Sequence, residues 1–122
     1  MKRRVVVTGL GAVTPLGNSV ADSWASAIAG KSGIGPITRF DPAAFASKIA
    51  GEIRNFDPTQ YIDKKEARRL DDFAIYVIAA SQMALKDAVL TITPDIAERV
   101  GVIIGSAIGG IRTLEEEIQV LR

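Results

Sequence analysis

The side chains with the clearest binding potential are four cations close together in sequence: Lys64, Lys65, Arg68 and Arg69. On a helix this spacing places them on one side of the first turns. There the like charges repel one another and also interact unfavourably with the positive end of the helix dipole. Each such interaction costs about 0.3 kcal/mol. The pattern is as typical of an ordinary solvated helix face as of a docking surface for an acidic partner, and both interpretations stay open at this point.

The turn GLGAVTPLG, residues 9–17, lies in the sequence setting of a dinucleotide-binding loop. The third glycine of that motif falls at position 14, where this chain has Thr14, and extra residues separate the turn from the following helix. Nucleotide binding is therefore disfavoured. We interpret the turn as a sharp chain reversal in which glycines supply positive φ angles.

The turn GSAIGGI, residues 105–111, has the glycine separation of a phosphate loop. Ile111 and Arg112 occupy the positions where that loop needs lysine and a hydroxyl, so it lacks the groups that hold terminal phosphates and magnesium. The turn instead suits a close approach of backbone to another surface or to a bound apolar chain. Ile108, its one bulky side chain, is placed to project into a cavity; a plain packing role stays open.

Bulk composition narrows the chemistry further. The 122 residues contain no cysteine and no histidine, which excludes a thiolate nucleophile, an imidazole base and a disulfide within them. Neighbouring carboxylates, Asp71–Asp72 and 115–117, diverge on a helix, so we interpret them as surface charge and as complements to nearby bases, and predict no metal or cofactor site. A net charge of +1 and the lack of any long apolar run predict neither nucleic acid nor membrane as partner.

Strands alternate with helices along the chain. Buried strands are predicted where apolar residues run without alternation, at 4–8 and 100–105, and a short edge strand at 48–53. Helices are predicted at 19–29, from 63 onward with a possible division at Asp71–Asp72, at 94–99 and at 111–122; the segment 31–42 is predicted to be a loop. This order predicts an α/β fold with a mainly parallel sheet.

Four blocks together resemble the N-terminal part of the elongating β-ketoacyl-acyl-carrier-protein synthases, above all the synthase II branch of the bacterial type II enzymes. The blocks, in order, are KRRVVVTGLGAVTPLGN, FDPAAFASKIAGEI, KKEARRLDDFAIYVIAASQMAL and GVIIGSAIGG. The resemblance implies a thiolase-like layered α/β/α/β/α fold in a cytoplasmic homodimer. Residues 1–122 are then the N-terminal portion of the first thiolase-like half, with no complete second domain.

In such enzymes a cysteine carries the acyl group as a thioester, and two histidines promote its decarboxylative Claisen condensation with malonyl-acyl-carrier protein, without a cofactor. All three positions lie beyond this sequence, and the last helix has no stop signal before Arg122. We therefore expect a longer protein, and no catalytic residue or activity in these residues alone.

Two family features fall within the chain. The resemblance implies that Lys65, Arg68 and Arg69, with Lys64 adjacent, receive the acidic helix of acyl carrier protein. It implies that Ile108 lines the far end of the acyl pocket. Two alternatives stay open at this point: a non-catalytic homologue that acts as the chain-length partner of a polyketide synthase, and a standalone acyl-carrier-binding module.

Overall fold

A computed structural model describes residues 2–121. They form helices joined by long irregular segments, with one small sheet near the middle of the chain. In order, the elements are α1 Val20–Ile28, β1 Ile34–Pro36, β2 Ile49–Gly51, a 3₁₀ turn Pro58–Gln60, α2 Lys64–Ala67, α3 Asp72–Asp87, α4 Pro94–Ala97 and α5 Ile111–Val120.

The first helix begins and ends where the sequence predicts. The Ser19 side chain accepts a hydrogen bond of 3.1 Å from the backbone N–H of Asp22 and so caps α1. Gly30 follows the helix with a φ of 65°, a conformation that suits glycine and ends the helical run.

The sheet has two antiparallel strands, with Ile34 opposite Gly51 and Pro36 opposite Ile49. The predicted edge strand at 48–53 is confirmed as β2. Its partner β1 lies inside the segment predicted to be a loop, so that prediction is wrong. The strand signal was weak because a glycine and a proline occupy two of its three positions, and proline suits only a sheet edge.

A carboxylate fastens the loop that connects the two strands. Glu52 is 8% exposed, and its oxygens accept hydrogen bonds from the Thr38 backbone N–H at 2.9 Å and the Thr38 hydroxyl at 2.7 Å. These bonds favour the ionised form and lower the pKa of Glu52 below its ordinary value, against the opposing effect of desolvation.

Within residues 2–121, segments 4–8 and 100–105 form no strand, so the prediction of buried strands there is wrong. The prediction of a mainly parallel sheet is wrong for the same residues. The apolar side chains of the two segments are exposed: 91% for Val5, 79% for Val7 and 99% for Ile103. A parallel strand needs neighbours that satisfy its backbone and cover both faces, and the described residues supply neither.

The accessible surface is correspondingly large. It measures 10113 Å², about 1.6 times the roughly 6,300 Å² expected for a compact monomer of this mass. Large apolar side chains account for much of the exposure, and only Ile62, Ile75 and Ala79 are buried apolar residues within the described part.

The long helical segment divides at Asp71–Asp72, as predicted, into the single turn of α2 and the 16 residues of α3. Around the junction lies a small aromatic cluster. The Phe56 ring lies parallel to that of Tyr61 at 5.8 Å and meets the edge of Tyr76 at 5.3 Å. Within residues 2–121, no helix combines the length and the hydropathy needed to cross a bilayer.

Candidate functional site

The first glycine turn packs against the backbone of α3. A Cβ added to Gly11 would stand 1.8 Å from the carbonyl oxygen of Ala80, and one added to Gly9 would stand 2.2 Å from that of Ala84. Neither glycine has a positive φ, so the predicted reason for them is wrong. They are needed for close approach to a small-residue face of the helix, and not for a reversed backbone.

An apolar groove lies between α1, the end of this turn and β1. Its volume is about 600 Å³, and its walls include Leu16, Trp24 and Ile34. The Trp24 side chain is 67% exposed. Sequence reasoning missed this groove because its walls come from three separate segments; an apolar stripe on α1 was the available signal.

The basic segment comprises Lys64, Lys65, Arg68 and Arg69, and all four residues are exposed. Because α2 ends at Ala67, Arg68 is its C-cap and Arg69 lies in the following turn, which corrects the prediction that all four lie on a continuous helix. None of the four forms an ion pair with a carboxylate of residues 2–121. The segment therefore presents four positive charges to solvent.

The glycine loop, residues 105–110, lies beside the N-terminal end of α3. Gly109 has a φ of 71°, and its N–H donates to the Ser106 hydroxyl oxygen at 3.1 Å. Ile108 is 73% exposed, so the described residues do not enclose it. Its predicted place in an acyl pocket stays a prediction.

Asp71 connects this loop and α5 to α3. The Thr113 hydroxyl donates to Asp71 Oδ2 at 2.7 Å, and Arg112 Nε lies 3.6 Å from Asp71 Oδ1. A Cβ on Gly110 would stand 2.3 Å from the same Oδ2. The Asp71 side chain is 11% exposed, so the interpretation of it as surface charge is wrong, while its pairing with a nearby base is confirmed.

Asp72, the residue after Asp71, connects α3 to the segment that follows β1. Its carboxylate accepts from the Arg39 guanidinium, which also donates to the Tyr76 hydroxyl at 3.0 Å. The hydrogen bond to Asp72, more than that to Tyr76, raises the pKa of Arg39 above its ordinary value. Arg112 also lies 3.7 Å from both Asp72 and Glu116, so the acidic run of α5 likewise complements a base.

The N-terminal end of α3 therefore joins the two predicted sites. The basic segment ends at Arg69, two residues before Asp71, and the glycine loop ends at Gly110 against the Asp71 carboxylate. Sequence reasoning had treated these regions separately. Among residues 2–121 no three metal-ligating side chains converge.

Solved structures identify the class of protein to which this arrangement of helices belongs, that of the ketosynthases. One is the structure of a type II polyketide synthase acyl-carrier protein in complex with its ketosynthase, bound to the hexaketide. A chain of that structure matches 99% of this chain over 32% of its own length, with a TM-score of 0.75 and 34% identity. The ishigamide ketosynthase/chain length factor matches 75% of this chain and 23% of its own, with a TM-score of 0.68 and 38% identity.

The chain belongs to the family described as "Beta-ketoacyl synthase, N-terminal domain", which it matches over residues 2–122. Curated relatives carry the name 3-oxoacyl-[acyl-carrier-protein] synthase 2. Those of Synechocystis sp. and Coxiella burnetii are 49% and 48% identical over 98% of this chain, and that of Staphylococcus aureus is 50% identical over 93%. The chain spans 27–29% of the length of these relatives, and the resemblance inferred from the four sequence blocks is confirmed.

Proposed function

We propose that these residues act as the N-terminal portion of a 3-oxoacyl-acyl-carrier-protein synthase that elongates fatty acids. In this reaction the acyl group of an enzyme thioester is attacked by the carbanion left when malonyl-acyl-carrier protein loses CO₂. The carbon–carbon bond forms as the thioester bond to the enzyme breaks, which yields a 3-oxoacyl product two carbons longer. Identity of 48–50% to synthases of this name is the observation that carries the proposal.

The basic segment is proposed as the surface that receives acyl carrier protein. Its support is local: four exposed cations occupy six consecutive positions, and none is neutralised by a carboxylate of residues 2–121. A compact cationic patch steers an acidic partner toward the surface and fixes its orientation, which raises the association rate and with it the affinity. The structural neighbour that holds a ketosynthase with its carrier protein supports the same partner class for this chain.

Ile108 is proposed as a wall of the acyl pocket. It is the only large side chain between Gly105 and Gly110, and it is 73% exposed in the described structure. An apolar side chain so placed costs free energy unless further polypeptide or an acyl chain covers it. We propose that the remainder of the protein and its homodimeric partner complete this pocket. We also propose that the protein acts in the cytoplasm.

The catalytic thiolate and imidazoles are proposed to come from polypeptide outside these residues, which contain no cysteine and no histidine. A thiolate nucleophile and a neighbouring base are what this thioester chemistry requires. We therefore propose that the 122 residues alone do not condense acyl groups. A standalone carrier-binding module is disfavoured, since the surface is about 1.6 times that expected for a compact monomer of this mass.

The test is a reaction of the intact protein with an acyl-acyl-carrier protein and malonyl-acyl-carrier protein, followed by mass spectrometry of the carrier-bound product. We expect a 3-oxoacyl product two carbons longer, released with one equivalent of CO₂. Carrier binding without any product would favour the second candidate, a non-catalytic chain-length partner. The structural neighbour described as a ketosynthase/chain length factor is the observation that favours this candidate. Absence of both binding and product would refute both candidates.

A further inference from the structure

The Asp71 carboxylate is committed to the glycine loop and α5, and not to its own helix. Asp71 occupies the N-cap position of α3, where an aspartate ordinarily accepts a backbone N–H of the first turn, yet it makes no such bond. Its oxygens instead face the Thr113 hydroxyl at 2.7 Å and Arg112 at 3.6 Å. A side chain diverted from capping in this way stabilises the loop-to-helix junction.

The contact with Gly110 is tight enough to fix a position. A Cβ at Gly110 would stand 2.3 Å from Asp71 Oδ2, well inside van der Waals contact. The backbone of Gly110 has φ −82° and ψ 56°, close to the inverse γ-turn conformation, which is open to residues other than glycine. The carboxylate is therefore the main obstacle to a side chain there. That carboxylate is not free to swing away, because Thr113 and Arg112 hold it and it is only 11% exposed.

The opposite end of the loop has no such anchor among the described residues. A Cβ on Gly105 would meet nothing within 4 Å, and Ile108, two residues before Gly110, is mostly exposed. Within residues 2–121 the contact of Gly110 with Asp71 therefore fixes this loop, and a shift of Gly110 changes where Ile108 meets the polypeptide proposed to cover it in the intact protein.

We infer that Asp71 is a positioning residue: by holding Gly110 and Thr113 it sets where the glycine loop places Ile108, and so which acyl chain lengths react best. The inference rests on the proposed role of Ile108 in the acyl pocket. Asp71 touches no reacting atom; it acts through the loop.

The primary experiment compares Thr113→Val with Thr113→Ser in the intact protein. Valine keeps the shape of threonine but loses the hydroxyl that donates to Asp71, whereas serine keeps that hydroxyl. The readout is the ratio of kcat/KM for a long acyl chain to that for a short one, with acyl-carrier-protein substrates. Thr113→Val is expected to change this ratio by about tenfold, as loss of a hydrogen bond to a charged group allows, and Thr113→Ser by less than about twofold.

A double-mutant cycle tests the contact itself. Gly110→Ala is expected to change the ratio in the wild-type background and to have no further effect after Asp71→Ala, which removes the obstructing oxygen. Equal losses for both chain lengths, or effects of the two substitutions that multiply independently, would overturn the inference. If Gly110→Ala fails to fold, the Thr113 pair still decides the question.

Ile108→Phe separates this inference from the function on which it rests. If Ile108→Phe leaves the ratio unchanged, the proposed pocket role of Ile108 is refuted, and the positioning inference falls with it. If Ile108→Phe changes the ratio while Thr113→Val does not, the pocket stands and only the positioning role of Asp71 is refuted.

Discussion

Reversal of two charges in the basic segment is the sharpest test of the proposed carrier surface. The change is Arg68→Glu together with Arg69→Glu. Both side chains are exposed and neither forms an ion pair with a carboxylate of residues 2–121, so the substitutions break no observed contact. Any large effect on binding therefore reports on the partner and not on the fold.

The expected size follows from exposed ion pairs, each of which contributes about 0.5 kcal/mol. Reversal removes two attractions and creates two repulsions, for a total of about 2 kcal/mol, which corresponds to roughly 30-fold weaker binding. Screening shortens the reach of these charges to about 4 Å at 0.5 M salt. The difference should then shrink below about threefold.

The assay is calorimetric titration of the intact protein with acyl carrier protein at low and high salt. The matched control is Lys86→Glu with Arg99→Glu, which makes the same change in net charge at two exposed residues outside the basic segment. We expect wild-type circular dichroism for both proteins and weakened binding for the basic-segment variant alone. Equal weakening by the control pair would show that net charge, and not this surface, governs association; unchanged affinity in both would refute the assignment.

Three further outcomes test other parts of the structure. Ile108→Phe should slow reaction with long acyl chains more than with short ones in a kinetic comparison, and equal slowing would contradict a pocket role. Hydrogen bonds from Thr38 lower the pKa of Glu52. The stability that Glu52 contributes is therefore full above its ordinary pKa of 4.5 and is lost as pH falls through the lower pKa of the folded state. Denaturant unfolding of Glu52→Gln should lack this acid dependence. Gly11→Ala should cost about 3 kcal/mol in unfolding free energy, since its Cβ would overlap the α3 backbone. Gly35→Ala should cost far less, because its Cβ would meet only the end of a flexible arginine. Equal costs would contradict the packing argument.

The sequence predicted the features that depend on neighbouring residues. The bounds of the first helix, predicted at 19–29, and the division of the long helix at Asp71–Asp72 are both confirmed. Each of these signals acts within one helical turn, so the residues that carry it are adjacent in the printed sequence. The four-block resemblance was confirmed for the same reason, since it depends on the order of local motifs.

Features that join distant residues were not predictable in this way. Strands at 4–8 and 100–105 need partners that residues 2–121 do not supply, and apolar composition alone carries no information about which partner is present. Gly11 was assigned to a turn because nothing local shows that it lies on Ala80. The contact of Asp71 with Thr113 spans 42 positions, and it places the basic segment and the glycine loop at one end of α3.

Amide hydrogen exchange of the intact protein tests the central claim most directly, namely that these residues are an incomplete layer of a condensing-enzyme fold. The account predicts slow exchange, protected by at least about a thousandfold, for segments 5–7 and 102–104 in the intact protein, because strands from the remaining polypeptide pair with them. In the isolated 122 residues the same amides should exchange without protection. Unprotected amides in both segments of an intact, folded protein would contradict the claim.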